Sequence, residues 1–308
     1  MVRDQSEKVV VEGPVDLDET VGAFRLPLYT ANSFRVSNQT ETNQESIATF
    51  DSEDAFLAPL EGSRDIRVDG DTSFSRVNQG YPSLDVKDSV RQWLASFEAL
   101  VLPGQGLGWK VIDEVRGTVY EPVSTEDEKR RGLLFSTVTW EHDASDGQRF
   151  SYNFDGEFSE GVQRPNDPSR YVEKVRIDDP PEVDRLEVDG YQIEFDSVDQ
   201  RRVRRTVELN STELIHQEDD SPMTGLIESG VETEVRFRGI GILPDNFESS
   251  IQQFDTEIQG KTAVINDAFA GRRWSGTIGQ SSSTIESGQA ANQFEIEVQL
   301  DVGNVISD

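Results

Sequence analysis

Residues 61–70 read EGSRDIRVDG and residues 228–239 read ESGVETEVRFRG. Both are alternating stretches closed by a glycine, and Ile66 and Val68 of the first fall on Val235 and Phe237 of the second. Apolar residues at every second position mark a strand with one face in a core. The offset from Gly70 to Gly239 is 169 residues, and it also lays Phe24 and Leu26 on Ile193 and Phe195. Each glycine is followed by a helical stretch, then by WKVIDEVRGTVYEPV (109–123) in one case and TAVINDAFAGRRWSGTI (262–278) in the other. A last alternating strand, FSTVTWE (135–141) or FEIEVQL (294–300), closes each half. This order predicts an internal repeat: a mainly-β unit with one helix, present twice.

Working outward, residues 1–20 read as a polar N-terminal arm with one apolar patch, Val9-Val10-Val11. The first β domain runs over 21–160. A linker over 161–188 contains Pro165, Pro168, Pro180 and Pro181. Prolines remove backbone donors, so this stretch holds at most an edge strand at Tyr171–Ile177. The second domain starts at Asp189-Gly190 and spans 189–308. Val90, Trp93, Leu94, Phe97 and Val101 recur at helical spacing, with Asp85 or Asp88 as N-cap. Phe247, Ile251, Phe254 and Ile258 do the same, with Asp245 and Glu248 set like a capping box and Gly260 as the stop. Each apolar stripe is narrow, so each helix packs one face on a sheet and buries Trp93 and Phe97, or Phe254 and Ile258. Strand-like alternation also covers Val115–Val123, Leu133–Trp140, Phe150–Phe158, Arg202–Leu209 and Gly271–Ile278. Long polar hairpin loops are expected at matching places in the halves, over 124–132 and 280–292, ordered against neighbouring subunits.

The chain carries 59 acids against 29 bases, a net charge of −30. Lysine is scarce (Lys8, Lys87, Lys110, Lys129, Lys174, Lys261), and the acids are spread along the whole length. Such a surface repels itself in dilute buffer and is screened within a few ångströms in concentrated salt. It resembles the proteins of halophilic archaea and their viruses, and it opposes tight binding to nucleic-acid phosphates. There is no cysteine, which removes disulfides, thiolate metal sites and cysteine nucleophiles. No apolar run reaches the ~20 residues of a membrane span. The start, MVRDQSEKVVVEGP, lacks the apolar core of a signal peptide.

Candidate sites for chemistry are weak. The run Gly104-Gln-Gly-Leu-Gly108-Trp-Lys110 follows a helix and precedes a strand, the reverse of a phosphate loop, and reads as a turn. His142 sits at a strand end. His216 with Glu218, Asp219 and Asp220 reads as a solvated acidic loop. Asp69-Gly-Asp71 is too short for a calcium loop. The serines Ser281–Ser283 have no base beside them, and no pair of carboxylates stands out as glycosidase-like. The sequence therefore nominates no catalytic, cofactor-binding or metal residue, and the chain is expected not to be an enzyme. The run Arg201-Arg-Val-Arg-Arg205 is the one dense basic segment. As a strand it places Arg202 and Arg204 on one face and Arg201, Val203 and Arg205 on the other, paired with acids of the same subunit or of a neighbour. The sequons at Asn38 and Asn210 carry little weight.

The order FRLPL, IRVDG, VRQWLASFEALV, WKVIDEVRGTVY, FSTVTWE resembles the tail-tube-type proteins of tailed, siphovirus-like viruses, and so does its second-half counterpart. The resemblance rests on element order and carries over no functional residue. It implies a β-sandwich or barrel-like fold with one flanking helix per domain, in two tandem tail-tube-like domains. It also implies a structural virion protein, assembled in the host cytoplasm, that forms the tail tube of a haloarchaeal virus. Six domains, hence a homotrimeric ring, would surround a channel. The rings would stack and meet other tail proteins, and DNA would pass without specific binding. A distal tail or baseplate hub protein is the alternative within the class. A glycan-binding adhesin β-module, or a carboxylate-pair hydrolase, is the alternative outside it.

Overall fold

The computed structural model describes residues 7–13, 24–29, 31–39, 42–49, 52–59, 63–101, 110–114, 117–120, 123–124, 130–160, 179–215, 222–243, 251–285 and 292–302. In the first half the strands are β1 Glu7–Gly13, β2 Phe24–Tyr29, β3 Ala31–Gln39, β4 Thr42–Thr49, β5 Ser52–Pro59 and β6 Ser63–Ser73. Helices α1 Phe74–Gly80 and α2 Val86–Glu98 follow, then β7 Lys110–Asp113, β8 Thr118–Tyr120, β9 Val123–Ser124, β10 Arg130–Asp143 and β11 Arg149–Glu160. The second half contains β12 Arg185–Val188, β13 Tyr191–Ile215, β14 Pro222–Ile242, helix α3 Ile251–Ile258, β15 Thr262–Asp267, β16 Arg272–Thr284 and β17 Gln293–Val302. The protein is mainly β, as the alternation predicts.

The second half closes on itself. The pairings β12–β13, β13–β14, β14–β17, β17–β16, β16–β15 and β15–β12 make a six-stranded antiparallel barrel. Its hairpin β12–β13 turns on Asp189 (φ 49) and Gly190 (φ 86). Two residues at positive φ between paired strands form the hairpin turn whose twist matches the strands. Asp189-Gly190 thus lies inside the unit, which extends back to β12, instead of marking its start.

The first half repeats this pairing pattern with two openings. β1 pairs β2 and β7, as β12 pairs β13 and β15. β7 pairs β8 as β15 pairs β16. β3 pairs β6, and β6 pairs β11, as β13 pairs β14 and β14 pairs β17. β10 pairs β11 as β16 pairs β17. The single strand β13 corresponds to β2 and β3 in succession, and β16 corresponds to β8 followed by β10. Small irregularities recur at equivalent places. One residue is skipped between Phe135 and Thr137, and another between Ile278 and Gln280. The same holds between Ala31 and Ser33 and between Val198 and Gln200. Asp113 and Asp267 each end a strand four residues before a glycine at positive φ, Gly117 (65°) or Gly271 (69°). Bulges bend a strand and raise its twist, so shared bulges mean shared curvature.

The register corrects several sequence expectations. Ile66 and Val68 do correspond to Val235 and Phe237, facing Gly156 and Phe154 on one side and Leu300 and Val298 on the other. Leu26, not Phe24, corresponds to Ile193: Leu26 faces Val11 and Val11 faces Val111, as Ile193 faces Leu186 and Leu186 faces Ile265. The strand equivalent to FEIEVQL is β11, not FSTVTWE, which lies in β10. The Val9–Val11 patch is not part of an arm but the buried middle of β1, a central strand of the sheet β2-β1-β7-β8. The expected loops do not sit at matching places. The stretch 124–132 starts in β9 and ends in β10, which pair with each other there. Gln280–Thr284 belongs to β16, and the β16–β17 loop corresponds to the short turn Ala144–Gly147. The long hairpins are instead β3 to β6, which carries β4–β5, and β13–β14, which is paired out to Ile215 and Pro222. The edge strand expected at Tyr171–Ile177 lies outside the described residues, as do Asp245, Phe247 and Glu248.

Both helices pack as their stripes require. Asp85 caps α2, its Oδ1 accepting from Asp88 N at 2.8 Å. Trp93 and Phe97 are fully buried and stacked at 5.0 Å, with Phe150 and Tyr152 against Trp93 at 5.2 and 5.4 Å. The Trp93 indole N–H donates to Pro27 O at 2.9 Å, which satisfies its one polar atom. Phe254 and Ile258 of α3 are likewise buried, and Gly260 ends the helix at φ 76. The glycine that closes VRFRG is sterically required, because a Cβ on Gly239 would run into the Ser197 carbonyl. Helix α1 was not legible: its seven residues bury only Val77.

Candidate assembly interface

The two halves meet edge to edge. β10 pairs antiparallel with β13 from Thr137↔Thr206 to Asp143↔Gln200. The result is one continuous sheet in the order β3-β6-β11-β10-β13-β14-β17-β16, four strands from each half. Directly opposed residues share a face, so Trp140 over Val203 and His142 over Arg201 place both cores on the same side. The other face is polar. It carries cross-strand ion pairs: Arg67 with Asp155 (3.7 Å), Arg238 with Glu295 (2.6 Å), Arg236 with Glu297 and Arg149 with Asp71.

The basic run lies in this junction, with its faces divided as the alternation predicts. Arg201, Val203 and Arg205 point toward the core, and Arg204 is exposed. Their acids come from the same chain. The Arg205 guanidinium is 3.7 Å from Glu98 Oε2, and its Nη1 donates to the Glu98 carbonyl. Glu98, at the end of α2, is buried; its Oε1 accepts from the Trp140 indole at 2.9 Å, and Arg272 Nε lies 3.9 Å from Oε2. One carboxylate therefore ties the helix and β10 of the first half to β13 and β16 of the second. Burial depresses the Arg205 pKa and Glu98 opposes that shift, so the ion pair is what keeps this charge tolerable inside.

A second cluster caps the same junction. Arg201 Nη2 donates to Asp184 Oδ2 at 2.6 Å and its Nε lies 3.6 Å from Asp267 Oδ1. Its guanidinium sits 5.3 Å from the centre of the Phe269 ring. Asp267 is fully buried at the head of the Asp267–Gly271 turn, where its Oδ1 accepts from Phe269 N and Ala270 N at 3.0 Å. Burial pushes its carboxyl up to about 7, against the pull of Arg201 and with the push of Asp184. Arg91 of α2 reaches across to the same turn, donating to Ala268 O at 2.6 Å. His142 is buried between Phe74 and Phe269, with ring centres 5.7 and 4.4 Å away. Burial, then Arg201, lowers its pKa. It is a packed junction residue.

The remaining motifs do not converge with these. Asp69 and Asp71 are paired into β6, and Ser281–Ser283 are in β16. Ser283 N and Oγ both donate to Asp255 Oδ2 at 2.8 Å, and Ser281 Oγ donates to the Asp255 carbonyl. His216 and its acids, and residues 104–108, lie outside the described residues. Among the described residues no three His, Asp or Glu side chains gather as metal ligands, and no helix is long and apolar enough to cross a membrane. Sequence reasoning missed Glu98 and Asp267. The available signal was the arginine run, whose inward members demand buried acids.

No protein-family model matches this sequence, and neither does any curated protein.

Proposed function

We propose that this chain is a structural protein of a virus tail, forming rings that stack into the tail tube of a haloarchaeal virus. The observation that carries the reading is the edge-to-edge junction. Two units of one topology lie side by side in a single chain, and their sheets run on as one. Three chains repeating that junction would set twenty-four such strands in a ring. At ~4.8 Å per strand the backbone is roughly 115 Å around and about 37 Å across. Side chains reach ~5 Å inward from the wall, leaving roughly 25 Å, enough for duplex DNA. The polar face of mixed, paired charge would line that channel, and a chain of net charge −30 gives phosphates little to hold. The long β3–β6 and β13–β14 hairpins would reach stacked rings. Closed cyclic symmetry covers every exposed edge equally.

Electron microscopy of the purified chain in molar potassium chloride tests this. Rings of three chains, six units around a hole, are expected. A sixfold ring of chains favours the distal-tail alternative, and a monodisperse monomer at every salt and protein concentration overturns the assembly reading.

A further inference from the structure

The ends of the continuous sheet are strand edges whose counterparts are already paired inside the chain. Among the described residues β3 pairs only with β6, at one end of the sheet. At the other end, again among the described residues, β15 covers β16 only over Arg272–Thr277, leaving Gln280–Thr284 with β17 as their one strand partner. Ser283 faces Ile296 as its counterpart Trp140 faces Tyr152, and Ser281 faces Val298 as Val138 faces Phe154. Val36 faces Ile66 as Val203 faces Val235. Among the described residues no second strand covers Gln280–Thr284, where α3 reaches Ser281 and Ser283 through Asp255. This edge of β16 is therefore the counterpart of the β10 edge, and β3 is the counterpart of the β13 segment that covers it.

From this we infer that β16 of one copy pairs antiparallel with β3 of a second copy in the register of the β10–β13 junction: Ser283 opposite Val36, Ser282 opposite Ser37, Ser281 opposite Asn38. This rests on the ring reading above and names the contact that closes it. Two further observations point the same way. Ile285 is 64% exposed, yet it occupies the register position of His142, which is 6% exposed because the opposite half covers it. An apolar side chain at a place that is buried in the internal junction awaits the same cover. In addition, the Ser283 N–H points out of the sheet edge, where Asp255 takes it. Carboxylates held against an open edge are a device that blocks stray strand pairing. Asp255 must release this donor when the partner strand arrives.

The chain has no cysteine, so engineered thiols report register without background. Ser282 and Ser37 fall at a non-hydrogen-bonded position of the inferred ladder, where Cα atoms are ~4.5 Å apart, within disulfide range. Two single variants, Ser282→Cys and Ser37→Cys, are mixed in molar potassium chloride under mild oxidation and imaged in parallel. A covalent dimer that forms only in the mixture is expected, and it is lost when Ser37→Cys is replaced by Arg35→Cys, two residues out of register. Rings without the cross-link overturn the register but leave the tube reading standing. A cross-link in closed two-chain particles keeps the register and overturns the tube. Neither cross-link nor rings overturns both.

Discussion

Asp267→Asn isolates the electrostatic cost of the junction. Asp267 is fully buried, and its carboxyl is raised from 3.8 to about 7 because burial penalises the ionised form more than Arg201 relieves it. Between those values the folded chain holds a proton that the unfolded chain has released. Stability from this group is therefore fully present below about pH 4 and is lost as pH rises through about 7. At about 1.4 kcal/mol per pH unit the loss is about 4 kcal/mol. Asparagine keeps an oxygen for the Phe269 and Ala270 N–H groups and carries no charge, and Arg201 keeps Asp184 at 2.6 Å. Denaturant unfolding at fixed molar salt from pH 4 to 8 measures the effect. His142, with its pKa lowered, contributes a slope of opposite sign in both proteins, so the difference between them is the quantity to follow. That difference should move by about 4 kcal/mol in favour of Asp267→Asn as pH rises. Parallel curves would show that the buried carboxylate is ionised throughout and that this reasoning fails.

Glu98→Ala strips a buried Arg205 of its counterion, and unfolding measurements should record a loss of about 3–5 kcal/mol. Phe97→Ala opens a cavity beneath Trp93 and Tyr152 and should cost about 3–5 kcal/mol; an unchanged midpoint would mean that α2 does not pack on this core. The melting temperature of the parent should rise steeply between dilute buffer and about 1 M salt, where the screening length falls to ~3 Å. A salt-independent curve in calorimetry would remove the halophilic reading.

The sequence made the strands legible because the described inward positions of β6, β14 and β17 are apolar or small, and it made α2 legible because its cap and stripe agree. Register was harder. A slip of two residues preserves which face is apolar, so Phe24 and Leu26 fit the pattern as well as Leu26 and Leu28 do. β10 and β11 both alternate, and only pairing partners tell which one corresponds to β17. The strand β1 was hidden by ten intervening residues before its hairpin partner. The junction was least legible of all. Glu98 meets Arg205 across 107 positions, and no local pattern carries a contact that far.

The junction also sets an order of events during synthesis. Chains emerge N-terminus first, and the first half is complete at β11 while β10 still has a bare edge and Glu98 has neither of its arginines. The strand that covers that edge begins to pair at Gln200, roughly sixty residues after Asp143 leaves the ribosome. At ~5–20 residues per second that is several seconds of exposure, and Arg272 comes later still. The N-terminal unit cannot finish folding on its own timetable. It waits, with one strand unmatched and one carboxylate uncompensated, for its own sibling to be made.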